Sequence, residues 1–363
     1  MSTELEKKSI LDFSREQLSV WLSDRGEAAY RADQIFKWIY LRQADNFEVM
    51  TDLGKDFREQ LSQIFTIDRL KVNQVETSRD GTRKYLFELA DKNLIESVLI
   101  PEKDHYTLCI SSQVGCVQDC QFCLTAKGGF ARNLTAGEII AQIRDIRHVL
   151  PEPKSLTNIV FMGMGEPLAN YKNLVNAINV ITDNHTGLRF AHRRVTVSTA
   201  GLVPKLAALG RDTRVNLAVS LNATDNRTRS LIMPINRKYP IEKLLEACRM
   251  YPLPPGRKIT FEYILINEVN DSRQDAVRLA KLLRPIRAKI NLIPFNPHPG
   301  SQYKRSEDQE IKDFQDFLIG NNYTVMIRQS KGQDISAACG QLRAGGMAAA
   351  CPESASSHSN DKI

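Results

Sequence analysis

Between Thr107 and Arg328, short β-rich apolar runs alternate with amphipathic stretches of helical period, and this alternation limits the fold most. The runs cover residues 107–111, 158–162, 194–198, 215–220, 259–265 and 289–293, with a seventh at 323–328. Helical stretches cover 136–150, 172–181, 202–209, 241–250, 272–283 and 306–319. Repeated strand–helix units imply a parallel sheet with right-handed crossovers. Six of them predict an α/β fold, a partial (β/α)6 barrel, and not a closed eight-stranded one.

Chemistry in such folds collects where strands end at their C-terminal side. Leu108 to Cys123 follows the first run and holds four of the seven cysteines. Cys116, Cys120 and Cys123 are spaced Cys-x3-Cys-x2-Cys, with Phe122 before the last. Three thiolates on a short loop can hold three irons of a 4Fe–4S cubane and leave the fourth open to a ligand. Zinc usually needs four ligands, and no further His or Cys lies close by in sequence. A disulfide framework suits a small secreted domain, which this is not. The ligand set resembles that of the radical S-adenosylmethionine (SAM) superfamily.

Other strand ends carry suitable partners for SAM. Gly163-Met164-Gly165-Glu166-Pro167 follows the second run, where glycine permits close backbone approach and Glu166 offers a carboxylate to an ammonium. Ser198, Ser220 and Asn296 close later runs. Cys339 sits between a polar approach and Gly340, which argues for an accessible thiol. Cys109 is either core or a neighbour of the cysteine loop, and Cys248 reads as core.

Residues 1–90 read as a separate helical accessory module with a hairpin. Ser14 and Gln17 form a capping-box pattern, residues 31–41 and 55–65 suggest two more helices, and strands flank Arg79-Asp80-Gly81-Thr82. Trp21 and Trp38 are expected in its core. Residues 91–343 form the barrel with the Cys339 loop. Residues 344–363, with Cys351, are small and polar and read as a disordered tail. The start has no apolar signal region and no run reaches membrane-span length, so a cytoplasmic protein without membrane contact is expected. A net charge of +7 permits a polyanionic partner. Basic residues gather at 189–194, among 227–238 and at 281–289; each group alone reads as a solvated face.

Four segments together carry a closer resemblance, covering about residues 10–343. They are Ser111-Ser112-Gln113-Val114-Gly115-Cys116 with Cys120 and Cys123, Met162 to Pro167, Leu292 to Pro297, and Ala337-Ala338-Cys339-Gly340-Gln341-Leu342. The chain resembles the RlmN family of radical-SAM RNA adenine C2-methyltransferases. The resemblance implies that Cys116, Cys120 and Cys123 hold the cluster. It implies that Gly165, Glu166, Ser198, Ser220, Leu221, Asn222 and Asn296 line SAM. It makes Cys339 the methyl carrier, Cys109 the thiol that closes a disulfide to free the product, and Glu96 a proton acceptor. It also implies 23S ribosomal RNA and transfer RNA as partners, an electron donor such as flavodoxin or ferredoxin, two SAM per turnover and a monomer. The helical N-terminal module resembles the family's RNA-binding domain. Asn222 stands where many relatives carry His, yet Asn still offers a donor and an acceptor. A related activity at adenine C8 uses the same cysteine logic; Met164, Pro167 and the longer N-terminal module favour C2.

Overall fold

A parallel strand packed under helices is mostly apolar, as the runs above largely are. The computed structural model describes residues 7–343, and the tail 344–363 with Cys351 lies outside them. The described chain begins with β1 (Lys8–Ser9), α1 (Arg15–Ser23), α2 (Arg31–Phe36), α3 (Lys55–Ile64) and β2 (Phe65–Thr66). The Ser14 side chain accepts from Gln17 N and Gln17 reaches back to Ser14 N, the capping box read from the sequence. α2 continues as a wider π turn over Lys37–Leu41, and Ile35, Phe36 and Ile39 are fully buried. Trp21 and Trp38 are only partly buried, at the rim of this core. Arg25 and Arg42 each lie 4.0 Å over one of these rings.

The chain then enters one ten-stranded sheet. Its first strands are β3 (Lys71–Thr77), β4 (Arg83–Glu88), β5 (Leu94–Pro101) and β6 (Tyr106–Cys109), each antiparallel to the one before it. A short pair, β7 (Gln113–Gly115) and β8 (Phe130–Asn133), brackets the cysteine loop and α4 (Leu124–Lys127). Next come α5 (Ala136–Val149), β9 (Leu156–Phe161), α6 (Tyr171–Thr182), β10 (Val195–Thr199), α7 (Val203–Asp212) and β11 (Asn216–Ser220). The remainder is α8 (Asn226–Ile232), α9 (Ile241–Arg249), β12 (Ile259–Leu265), α10 (Arg273–Leu283), β13 (Ala288–Pro294), α11 (Asp308–Gly320) and β14 (Val325–Ile327).

From β6 through β9 to β14 the strands run parallel in sequence order, so the predicted barrel strands are neighbours in space. The hairpin β3–β4, assigned from sequence to residues 1–90, instead continues this sheet through β5. Its register pairs Leu86 with Glu96, so the hairpin belongs to the barrel wall. Among the described residues no helix is long and apolar enough to cross a membrane.

Candidate active site

The cysteine loop leaves the sheet after β6 and is stitched to the glycine turn after β9. Met164 N donates to Ser111 Oγ at 2.9 Å, Ser112 N to Met164 O at 2.8 Å, and Glu166 N to Gln113 Oε1 at 2.9 Å. The two glycines answer to this packing. A Cβ on Gly163 would stand 2.7 Å from Ile110 O, and one on Gly165, at φ +101°, 2.5 Å from Gln113 Cβ. Glu166 is buried with both oxygens engaged, accepting from Leu168 N at 3.0 Å and Ala200 N at 2.7 Å. Burial pushes its carboxyl pKa up, and these donors partly offset that.

One cavity gathers the strand ends. Cys116, Cys120, Cys123, Gly165, Glu166, Ser198, Ser220 and Cys339 all line it. Glu262 on β12, which the sequence reading missed, lines it too and accepts from Ser198 Oγ at 2.8 Å and Ser220 Oγ at 3.4 Å. It was visible as the single carboxylate in an otherwise apolar strand. Burial raises its pKa.

Arg229 was missed as well. It is fully buried on α8 and donates to Leu221 O at 2.9 Å, Ala200 O at 2.8 Å, Ser220 O at 3.1 Å and Asn236 Oδ1 at 3.1 Å. It makes no ion pair with a carboxylate among the described residues. Its charge opposes the burial that drives the Cys120 thiol far up. The cysteine loop rests on the end of the same helix, with Gln121 N donating to Ile232 O at 2.9 Å.

These residues fit an iron–sulfur cluster. Burial pushes the Cys116 thiol up to about 12, and such thiols release their protons readily only to a metal. Among the described residues no three His, Cys, Asp or Glu side chains converge as for a single ion. A cubane takes one thiolate at each of three corners and does not require that convergence. The unpaired Arg229 cation suits an anionic thiolate set.

The Cys339 loop is held from several sides. Leu124 N donates to Gly340 O at 2.7 Å, Thr125 Oγ1 to Leu342 O at 2.6 Å and Asn296 Nδ2 to Cys339 O at 3.1 Å. The hairpin adds Lys84 Nζ to Ile335 O at 2.7 Å and Ser78 Oγ to Asp334 Oδ1 at 2.6 Å. Cys339 is open to the cavity's solvent yet crowded by protein, and that crowding pushes its thiol up to about 11. Cys109 is buried behind the cavity; burial raises its pKa, and the nearby Cys339 raises it further. All six described cysteines are free thiols, so no Cys109–Cys339 disulfide is present.

The thiolate fraction of Cys339 therefore rises about tenfold per pH unit below 11. Alkylation of Cys339 by iodoacetamide, read by peptide mass spectrometry, is expected to run about ten times faster at pH 9 than at pH 8. A rate already flat at pH 8 would contradict this environment.

Several residues implied by the resemblance lie outside the cavity lining. Leu221 and Asn222 are fully buried behind it. Asn222 Oδ1 accepts from Ile264 N at 2.9 Å and its Nδ2 meets Met233 Sδ at 3.3 Å. Its side chain thus holds β12 and the segment after α8 in place. Asn296 acts on the Cys339 loop and also accepts from Gln333 Nε2 at 3.1 Å. Glu96 is not among the residues lining the cavity; it accepts from Arg343 N at 2.7 Å and pairs with Lys84 at 3.4 Å.

The model of the ribosomal RNA large subunit methyltransferase N-terminal domain matches residues 8–67, and that of the radical SAM superfamily residues 110–280. A dual-specificity RNA methyltransferase RlmN of Desulfosudis oleivorans is 57% identical over 95% of this chain and 93% of its own. That of Geobacter sulfurreducens is 51% identical over 94% and 93%. The crystal structure of a radical SAM methyltransferase from Sphaerobacter thermophilus superposes with a TM-score of 0.87 at 42% identity. It covers 93% of this chain and 100% of that one. The superfamily brings with it a 4Fe–4S cluster and SAM, for which the three cysteines and the cavity beside them are suited. On likeness along nearly its whole length, this chain belongs to the RlmN family of radical SAM dual-specificity RNA methyltransferases.

Proposed function

We propose that the enzyme methylates C2 of adenosine in 23S ribosomal RNA and in transfer RNA, through a methyl group carried on Cys339. One observation carries the reading: Cys339 opens into the cavity lined by the three loop cysteines, while Cys109 is buried behind it, close enough for Cys339 to raise its pKa. Adenine C2 is an electron-poor aromatic carbon, so direct displacement at a SAM methyl fails there. Cys339 solves this by taking the methyl of a first SAM onto sulfur, its thiol proton leaving as the thioether forms. Cys116, Cys120 and Cys123 hold the cluster, which when bound supplies the electron that cleaves a second SAM to a deoxyadenosyl radical. Ser198, Ser220 and Glu262 line the space where SAM sits, and Gly165 and Glu166 shape its floor. The Cys339 methyl loses a hydrogen atom to that radical, and its carbon bonds to C2. Glu96 is the family-matched acceptor for the C2 proton. As the C2 proton leaves, the adduct returns its unpaired electron to the electron-transfer chain. The Cys109 thiolate then attacks the Cys339 sulfur, the carbon–sulfur bond breaks, and the freed carbon takes a proton to become the methyl group while the two sulfurs close a disulfide. An electron donor such as flavodoxin or ferredoxin reopens the disulfide and recharges the cluster. The adenine must be presented unstacked, which favours loops in both RNAs. The enzyme works in the cytoplasm, as a monomer.

The test compares RNA from cells lacking the gene, complemented with wild type or with Cys339→Ala. Ribosomal and transfer RNA are digested separately, and methyladenosine isomers are resolved by mass spectrometry. The C2 isomer is expected to vanish with the gene and to return only with wild type. A missing C8 isomer instead would transfer the reading to that position.

A further inference from the structure

The barrel's opposite end carries a charge that the active site does not use. The segments leading into β10, β11, β12 and β13 are residues 188–194, 211–215, 253–258 and 284–287. They contain nine arginines and lysines and one carboxylate, Asp212. Asp212 is already engaged, accepting from Tyr171 Oη at 2.6 Å. Because the four strands are parallel neighbours, their starts lie side by side on one face.

Among the described residues, none of the nine cations forms an ion pair. Those that are fixed bind neutral groups. Arg257 Nη1 donates to Arg214 O at 2.7 Å and Asn216 Oδ1 at 3.2 Å, and Asn216 Nδ2 donates to Arg193 O at 2.8 Å. Lys258 Nζ reaches Thr324 Oγ1 at 3.4 Å, and Arg287 Nη2 reaches Leu253 O at 3.5 Å. Such bonds orient guanidinium groups without cancelling their charge. Arg193, Arg194, Arg214, Lys258 and Arg287 are exposed, and Arg257 is half-buried. His192 among them feels the result: burial, then Arg214 and Arg257, push its pKa down.

Clustered like charges repel, so a face held this way costs stability unless an anion meets it. We propose that this face is a second contact for RNA, gripping the phosphate backbone of a duplex that extends away from the active site. The proposal rests on RNA being the substrate. Phosphates fit the chemistry because contact with them needs cations and no particular base. Neighbouring strand starts stand about 4.8 Å apart, so four of them span roughly 15 Å of backbone track. The barrel itself is about 20 Å deep, from seven residues of β12 at ~3.3 Å each. A short hairpin seated at the cavity therefore falls short of this face, while a large folded RNA reaches it.

The test uses the cluster-bearing enzyme and two fluorescent probes, a full-length unmodified transfer RNA transcript and a hairpin of about five base pairs. Binding is followed by anisotropy against salt concentration. One variant combines Arg193→Gln, Arg214→Gln, Arg257→Gln and Arg287→Gln. A control removes the same charge from helix surfaces, with Lys172→Gln, Lys243→Gln, Arg249→Gln and Lys312→Gln. The first variant is expected to flatten the salt dependence for transfer RNA by about 3.6 in slope, four contacts at ~0.9 each, and to weaken binding at least tenfold. Its hairpin affinity should stay at the wild-type value, as should both affinities of the control. Equal losses in both variants would reduce the effect to net charge and overturn the proposal, as would an unchanged slope in the first. A retained second contact with no C2 product in cells would overturn the proposed reaction and leave this face standing.

Discussion

Cys109→Ala is expected to accumulate a covalent protein–RNA adduct, and Cys339→Ala to form none and to lose all methyl transfer. On the proposed route only the sulfur of Cys339 carries the bridging carbon, so removing it removes the bond that could be trapped. Removing Cys109 leaves that bond formed with nothing to break it. The geometry supports the asymmetry, since Cys339 opens to the cavity and Cys109 is buried behind it. Denaturing gels of enzyme purified from growing cells, with and without ribonuclease, read the adduct directly. Similar adduct in both variants would exchange or dissolve the two roles.

Arg229→Met is expected to destabilise the enzyme by about 3–5 kcal/mol, although methionine fills much of the same space. The guanidinium binds three carbonyls, on Ala200, Ser220 and Leu221, and would forfeit all three bonds, with only Leu221 O keeping another donor, Ala223 N at 2.8 Å. Two of those residues, Ala200 and Ser220, line the cavity. For a chain of 363 residues this corresponds to a drop of roughly 5 °C in melting temperature. Arg229→Lys should fall between, since an ammonium retains the charge and reaches fewer of the acceptors. Anaerobic thermal unfolding measures both, and a shift under ~1 °C for Arg229→Met would mean that the strand ends hold themselves together.

The parallel core was legible because buried strands leave mostly apolar runs, as in Ile259–Leu265, where Glu262 is the one charged residue. The loop cysteines were legible because ligand spacing is local. Membership of the hairpin was not, since pairing between Leu86 and Glu96 leaves no mark in either segment. Long-range roles were also hidden. Asn222 offers the same donor and acceptor to a ribose as to Ile264 and Met233, and only the fold shows which bonds it makes. Glu262 was overlooked because a carboxylate usually marks a solvated strand face, whereas here two serines receive it in a buried wall. Arg229 reads from sequence as one more surface cation on a short helix.

The loop with Cys339 is fastened to hairpin residues some 250 positions earlier, through Lys84 to Ile335 and Ser78 to Asp334. Sequence separation of that size sets the order of events during translation. The cysteine loop and β6 leave the ribosome long before Cys339 is made. A nascent chain can therefore acquire its metal-binding half while the reactive sulfur is still missing. Competence to modify RNA arrives late, with the closing of a contact that joins distant parts of the polypeptide.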